Sequence, residues 1–185
     1  MKLISILFIY VVVGFGCSSS PVQTTPVEPV VQEAVESCPS GLKVVGLSMR
    51  TTNQNGQAMK DIEALWTRFW KEKIGTRIPE KVNDDIYAVY YDYENGVIGQ
   101  YTVLVGYLAK SLPKKAKGLT EKELAAGSCK KYVSKGKMPA AILKTWVEIW
   151  QDKQLKRAYR TDYTVHGKKY FNGENAEVET YISVY

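Results

Sequence analysis

Four tryptophans fall in two pairs, Trp66 with Trp70 and Trp146 with Trp150, each spaced i, i+4. On a helix that spacing puts two indoles on neighbouring turns of one face. An indole face attracts planar and cationic partners by ~0.5–2 kcal/mol, depending on how far the pair is desolvated. Around them stand 13 Tyr against only 4 Phe, flat apolar rings with a polar handle that suit a damp core or a ligand cage. Glu177, Glu179 and Tyr181 alternate along one strand-like run, which places the two carboxylates ~6.6 Å apart on one face. Enclosed, they would attract a cation, and mutual repulsion would raise at least one pKa; a plain solvated sheet face explains them equally well.

Other chemistries are excluded early. One histidine and three cysteines cannot build a Cys₄ or Cys₂His₂ zinc site once Cys17 is assigned elsewhere, so no metal is expected. No GxxxxGK[ST] or GxGxxG run exists to cradle a phosphate, and no cofactor is implied. His166 stands at a strand end beside Gly167 and reads as a surface residue rather than a base. At 185 residues, 45% hydrophobic and 24% charged, the chain supports one domain of ordinary size.

The N-terminal part is an address. Lys2, the apolar run Ile4 to Phe15 and Gly16 before Cys17 have the layout of an export signal over 1–16. A run from Ile4 to Phe15 spans ~18 Å as helix, short of a ~30 Å hydrocarbon core. The ending resembles a bacterial lipoprotein signal with Cys17 as the lipidated N-terminus, although Gly14 and Phe15 depart from that motif. Residues 17–40, rich in Pro, Ser and Thr, read as a tether, placing the domain at 41–185 on the cell envelope. Cys38 and Cys129 remain, and export permits a disulfide between them, which spacing alone does not establish. The net charge of +6 gathers in Lys110–Lys122 and Lys130–Lys137. Without a helix-turn-helix segment, these lysines read as solvated loops and edges rather than a nucleic-acid surface.

The elements that must position the aromatic residues come in two rounds. A strand at 43–49 leads to a helix over about 57–73, with Ala58, Met59, Ile62, Leu65, Trp66 and Phe69 at helical spacing. Strands at 86–94 and 101–109 follow, joined by a turn at Glu94-Asn95-Gly96. Then a strand at 128–134, a helix opened by Pro139, and strands at 158–166 and 176–184 repeat the order. Each round also carries Asp-Tyr, as Asp92-Tyr93 and Asp162-Tyr163. The expected fold is α+β: a duplicated β-α-β-β unit with antiparallel sheets in two layers, two helices and a cleft between pseudo-twofold halves. A monomer is favoured. Trp66 and Trp146 read as core, whereas the helix-end Trp70 and Trp150 reach the cleft.

From about Leu42 to Tyr185 the runs VVGLSMRTTN, ALWTRF, IYAVYYDYENGVIGQYTVLVG and NAEVETYISV resemble the GyrI-like effector-binding domain. That resemblance implies a cleft between the halves that binds amphipathic, often cationic aromatic compounds, with Tyr90 and Tyr101 at positions that prefer aromatics. Family members often carry a glutamate where this chain reads Asp162-Tyr163-Thr164, so the acid is absent at Thr164. Either the cleft takes neutral ligands, or Glu177 or Glu179 replaces it. The candidate ligand-binding set is therefore Trp70, Tyr90, Tyr101, Trp150, Glu177, Glu179 and Tyr181. Two alternatives stay open: a cofactor-free hydrolase of strained electrophiles, and a structural envelope lipoprotein with no ligand.

Overall fold

The computed structural model describes residues 31–114 and 116–185; Cys17, the export signal and the first part of the tether lie outside them. Ten elements follow in order. They are β1 (Val31–Cys38), β2 (Lys43–Thr52), α1 (Gln57–Lys71), β3 (Lys81–Tyr91), β4 (Gln100–Ala109), β5 (Thr120–Glu123), β6 (Gly127–Lys135), α2 (Ala140–Gln151), β7 (Thr161–His166) and β8 (Glu177–Val184). All strands pair antiparallel in one sheet ordered β1-β6-β8-β7-β3-β4-β2-β5.

The duplication is evident in that order. The first unit contributes β3-β4-β2 and the second β6-β8-β7, so the halves mirror each other across the β7–β3 junction. The two layers expected from the sequence are one continuous curled sheet instead. Backbone pairing from Ile86↔His166 to Tyr91↔Thr161 crosses the junction, leaving no unpaired strand edge there. Two further strands extend the sheet, each in an exchanged position. β1 precedes the first unit yet pairs with β6 of the second; β5 precedes the second yet pairs with β2 of the first.

Residues 31–38, expected to belong to the tether, form β1. Pairing with β6 satisfies what would otherwise be a bare edge, and a disulfide joins Cys38 to Cys129 of β6 at a Cα–Cα distance of 5.2 Å. Nor is β7 as long as the expected 158–166 strand: Tyr159 takes φ 52° and the ladder starts at Thr161. The Asp-Tyr echo is not structurally equivalent either. Asp92 lies past the end of β3 at φ 52°, while Asp162 is inside β7, fully buried.

Each helix buries one face on its own half. α1 turns Ala58, Leu65 and Phe69 onto β2 and β4; α2 turns Trp146 and Ile149 onto β6. Gly46 and Gly106 stand opposite each other in β2 and β4, where a Cβ on either would run into the partner strand's backbone. The helix side of the sheet carries Val45, Leu47, Ala88, Val103, Val105 and Ile182 into one core. The opposite side gathers Val44, Val89, Leu104 and Leu108 with Tyr87, Tyr91 and Tyr163 into a second.

Because the Cys38–Cys129 link spans 91 residues of sequence, its removal frees β1 and enlarges the unfolded ensemble, at a loss of about 2–4 kcal/mol. A Cys38→Ser/Cys129→Ser double variant is expected to unfold at lower denaturant. Amide exchange should quicken across Val31–Cys38 while β2–β4 keeps its protection.

Candidate functional site

The helices pack on different strands, α1 on β2 and β4 and α2 on β6, with β3, β7 and β8 between them. The helix side of these central strands, the floor between the two helices, follows from strand register. Ala88 faces the helices; Thr164 lies opposite Ala88, and Thr180 lies opposite Thr164. One step along, Tyr90 opposes Asp162, and in the other direction Ile86 opposes His166. Period-2 alternation therefore puts Tyr90, Asp162, Thr164, His166 and Thr180 on the helix side.

Two ladders of rings descend to this floor, one from each helix. On α2, Trp150 lies 6.1 Å from Trp146, and Trp146 meets Tyr90 edge-on at 5.0 Å. On α1, Trp70 stacks on Trp66 at 6.3 Å, and Trp66 meets His166 edge-on at 4.9 Å. Each helix thus reaches across to a ring of the other repeat's strand, and His166 holds towards Trp66 the place Tyr90 holds towards Trp146. The outer indoles are about half exposed, 47% for Trp70 and 49% for Trp150, whereas Trp146, Tyr90 and Tyr101 are buried. Beyond Tyr90 the rings continue through Tyr101 to Tyr93, stacked at 5.5 Å. Tyr101 donates to Asn53 Oδ1 at 2.8 Å.

The floor's carboxylate is fully engaged. Asp162 accepts from Arg157 at 2.5 Å, from the Tyr93 hydroxyl at 2.8 Å, and from the Ser183 backbone N–H and hydroxyl at 2.7 and 2.9 Å. The Arg157 guanidinium also lies over the Tyr159 ring at 4.4 Å. Burial raises the phenols of Tyr90 and Tyr93 and pushes Tyr101 up to about 12, so all three remain protonated hydrogen-bond donors at neutral pH.

His166 departs most from its sequence reading. It is buried at 5% exposure, flanked by Trp66 and by Tyr170 at 4.8 Å, and its Nε2 lies 2.9 Å from Thr164 Oγ1. Among the described residues its Nδ1 has no hydrogen-bond partner. Burial pushes its pKa down to about 4, so the ring is neutral under ordinary conditions. Alternation along Asp162-Tyr163-Thr164-Val165-His166 carried the signal, since it puts His166 in phase with Thr164; the neighbouring Gly167 suggested an exposed end.

The candidate set from the sequence is divided by the sheet. Trp70, Tyr90, Tyr101 and Trp150 all belong to the helix side, Trp150, Tyr90 and Tyr101 in one ladder of rings and Trp70 in the other. Glu177, Glu179 and Tyr181 alternate with Val178, Thr180 and Ile182 and so point to the opposite face. There Tyr181 donates to Glu179 at 2.8 Å and stacks on Tyr163 at 4.7 Å. Each carboxylate has its own lysine, Lys131 with Glu179 at 3.0 Å and Lys169 with Glu177 at 2.7 Å. The Lys169 hydrogen bond holds the Glu177 carboxyl below its usual range, opposite to the rise expected from repulsion. An open cavity of about 620 Å³ lies elsewhere, beside the C-terminal half of α2, with Val35, Lys130, Asp152, Leu155 and Tyr185 in its wall. It contains none of the ladder residues.

The profile of the Cass2 family, integron-associated effector binding proteins, matches residues 40–184. An integron cassette protein from the mobile metagenome of Vibrio cholerae superposes with a TM-score of 0.64 at 23% identity, over 85% of this chain and all of that one. A second structure, solved with tetraphenylphosphonium bound, superposes with a TM-score of 0.64 at 16% identity, over 85% of this chain and 93% of that one. At these identities the likeness is one of fold. No curated protein sequence matches the chain.

The buried histidine makes stability depend on pH. Its folded pKa of about 4 lies below the ordinary 6.5, so the unfolded chain takes up the proton first. The contribution is complete above pH 6.5 and is lost as the pH falls towards 4, ~3 kcal/mol in all. As His166 is the single histidine of the chain, its ring proton signals are unambiguous. They are expected to stay unshifted from pH 8 to pH 5, and His166→Phe should flatten this part of the stability profile.

Proposed function

The chain belongs to the Cass2 family of integron-associated effector binding proteins, and from that premise we propose that it binds a small amphipathic aromatic molecule in the groove between α1 and α2. The observation that carries this reading is the pair of indole ladders. Trp150–Trp146–Tyr90 and Trp70–Trp66–His166 run from half-exposed outer rings to a buried floor on either side of one groove. A flat ligand entering there meets ring faces and edges on both walls, with Tyr90 and Tyr101 at its inner end. Ring contacts of this kind give ~0.5–1.5 kcal/mol each beyond the area they bury. Tetraphenylphosphonium in the second of the similar structures supports the class of ligand, several aromatic rings around one centre, cationic in that case.

The reading extends to location. The segment before the domain, with its apolar run and Cys17, supports export and attachment to the cell envelope through a lipid on that cysteine. The groove would then meet its ligands outside the cytoplasm. Replacing Cys17 with Ala is expected to abolish incorporation of a labelled fatty acid and to release the domain from the membrane fraction; unchanged labelling would refute the anchor.

Binding is followed by tryptophan fluorescence of the full chain titrated with compounds carrying several aromatic rings. Saturable quenching is expected, and Trp70→Ala or Trp150→Ala should each weaken it about tenfold, the ~1.4 kcal/mol of one well-placed ring. Glu179→Gln, on the opposite face, should leave the affinity unchanged. Retained affinity in both tryptophan variants would place the ligand elsewhere.

A further inference from the structure

The excess positive charge of the chain is unevenly neutralised. The lysines of β6 and of the bend after it each meet a carboxylate: Lys130 with Asp152 at 3.5 Å, Lys131 with Glu179 at 3.0 Å, Lys135 with Glu177 at 4.0 Å and Lys137 with Glu174 at 3.3 Å. The cluster that begins after β4 is different. Lys122, at its far end in β5, pairs with Asp92 at 3.4 Å. Lys110, Lys114 and Lys117 are exposed, and among the described residues none of them pairs with a carboxylate.

Tertiary packing brings the end of α1 to this loop. Arg77 donates to the Lys117 carbonyl at 2.6 Å, and the Lys110 N–H donates to the Glu80 carbonyl at 3.4 Å. Glu72, just past the helix, is shared between Arg68 at 3.1 Å and Arg77 at 3.3 Å. Lys71 and Lys73 on either side of it are exposed and, among the described residues, pair with no carboxylate. The acids at this pole are few and partly engaged: Glu72, Glu80, and Glu121, which Lys43 holds at 3.1 Å and the Leu112 N–H at 2.7 Å. Cations in a last helical turn offset the partial charge of its carbonyls, which accounts for Arg68 and Lys71. It does not account for the loop lysines beside them. Like charges gathered on one surface repel, yet the loop is held in place, with Ala116 and Leu119 packed in the core and turned by bonds of 2.9 and 3.0 Å to the Pro113 and Ala116 carbonyls. Apolar side chains stand among the charges. Trp70 is 47% exposed beside Lys71, and Leu112 is 39% exposed between Lys110 and Lys114.

We propose that this pole, the end of α1 together with the loop over 110–119, docks on an anionic lipid bilayer. Unneutralised lysines are drawn to such a surface by its charge, and the attraction fades within a Debye length. Lys and Trp suit the same boundary, because an aliphatic stem or an indole lies along the apolar layer while the polar end stays in water. Leu112, presented on a fixed loop between two lysines, is placed to enter that layer. A polyanion in solution offers the same negative charge and no apolar layer to receive the leucine, so the exposed apolar residues favour the bilayer. The apolar run from Ile4 to Phe15 supports a membrane as the neighbour of this chain. The inference depends neither on a ligand between the helices nor on a lipid at Cys17. Loss of the anchor and loss of docking are therefore separate results.

The test titrates the full chain with phosphatidylcholine vesicles and with vesicles that are about one third phosphatidylglycerol, reading the bound fraction by sedimentation. The N-terminal apolar run enters both kinds, so the ratio of the two affinities reports the docking pole. That ratio is expected to exceed about ten at low ionic strength and to shrink as salt is added. Lys110→Gln/Lys114→Gln/Lys117→Gln should bring it to within about threefold of unity. Lys130→Gln/Lys135→Gln/Lys137→Gln removes the same charge from the neutralised cluster and should leave the ratio nearly unchanged. Leu112→Gln, which keeps every charge, should weaken binding to the anionic vesicles severalfold and leave binding to soluble polyphosphate as it was. Equal affinity for the two kinds of vesicle would overturn the proposal. Equal losses in the two triple variants would also overturn it, since net charge rather than this pole would then be responsible. An unchanged vesicle affinity in Leu112→Gln would assign the surface to a soluble polyanion instead and sink the bilayer reading. The ratio and its salt dependence in the unsubstituted chain decide the matter even if a variant folds poorly.

Discussion

The backbone ladder between β3 and β7 is the constraint on which the rest of the molecule depends. It welds two copies of a β-α-β-β unit into one sheet, edge to edge, at their third elements. Each copy keeps its helix over its own outer strands, because that is where Leu65 and Phe69, or Trp146 and Ile149, find apolar partners. Joining the units at β3 and β7 therefore leaves the centre of the sheet to be covered by the indoles that each helix extends over it, Trp146 on Tyr90 and Trp66 on His166. The exchanged flanking strands reinforce the weld, since β1 and β5 each tie the chain preceding one unit to the first strand of the other.

That central position also explains the polar character of the floor. A strand buried on both faces favours apolar residues, and β3 follows the rule with Ile86, Ala88 and Val89. Beside it, β7 buries Thr161, Asp162, Thr164 and His166. The Asp162 carboxylate is fully bonded, to Arg157, Tyr93 and Ser183. Buried pairs of this kind are seldom more stabilising than apolar residues of the same size, although breaking one is strongly destabilising. Its clear structural effect is to hold the end of β7 to β8 and to the chain leading out of α2. Along the rest of that strand Thr164 and His166 bond to each other.

Much of this was legible in the sequence, and the exceptions have physical causes. Both helices, the β3–β4 hairpin and the doubled order follow from periodicity and from Asn-Gly and Pro signals that act locally. β5 did not announce itself, because Thr120–Glu123 is short and charged and becomes a strand only by lying against β2. Likewise, Val31–Cys38 reads as tether until an edge strand is available to receive it. The division of Glu177, Glu179 and Tyr181 from the aromatic set was partly legible: alternation separated them from Thr180 and Ile182, but which of the two faces met the helices is a tertiary fact. His166 was misread because a glycine neighbour and a strand end usually mean exposure. Here the 3-10 turn at Lys168–Phe171 folds Tyr170 back over the imidazole.

The two halves are symmetric in backbone and asymmetric in chemistry, and the asymmetry falls at the groove. The Trp pairs repeat closely, with ring separations of 6.3 and 6.1 Å. The partner at the foot of each ladder does not: a phenol on β3, an imidazole on β7. Tyr90 continues into a chain of phenols that ends on Asp162. His166 ends its ladder with one nitrogen bonded to Thr164 and the other open.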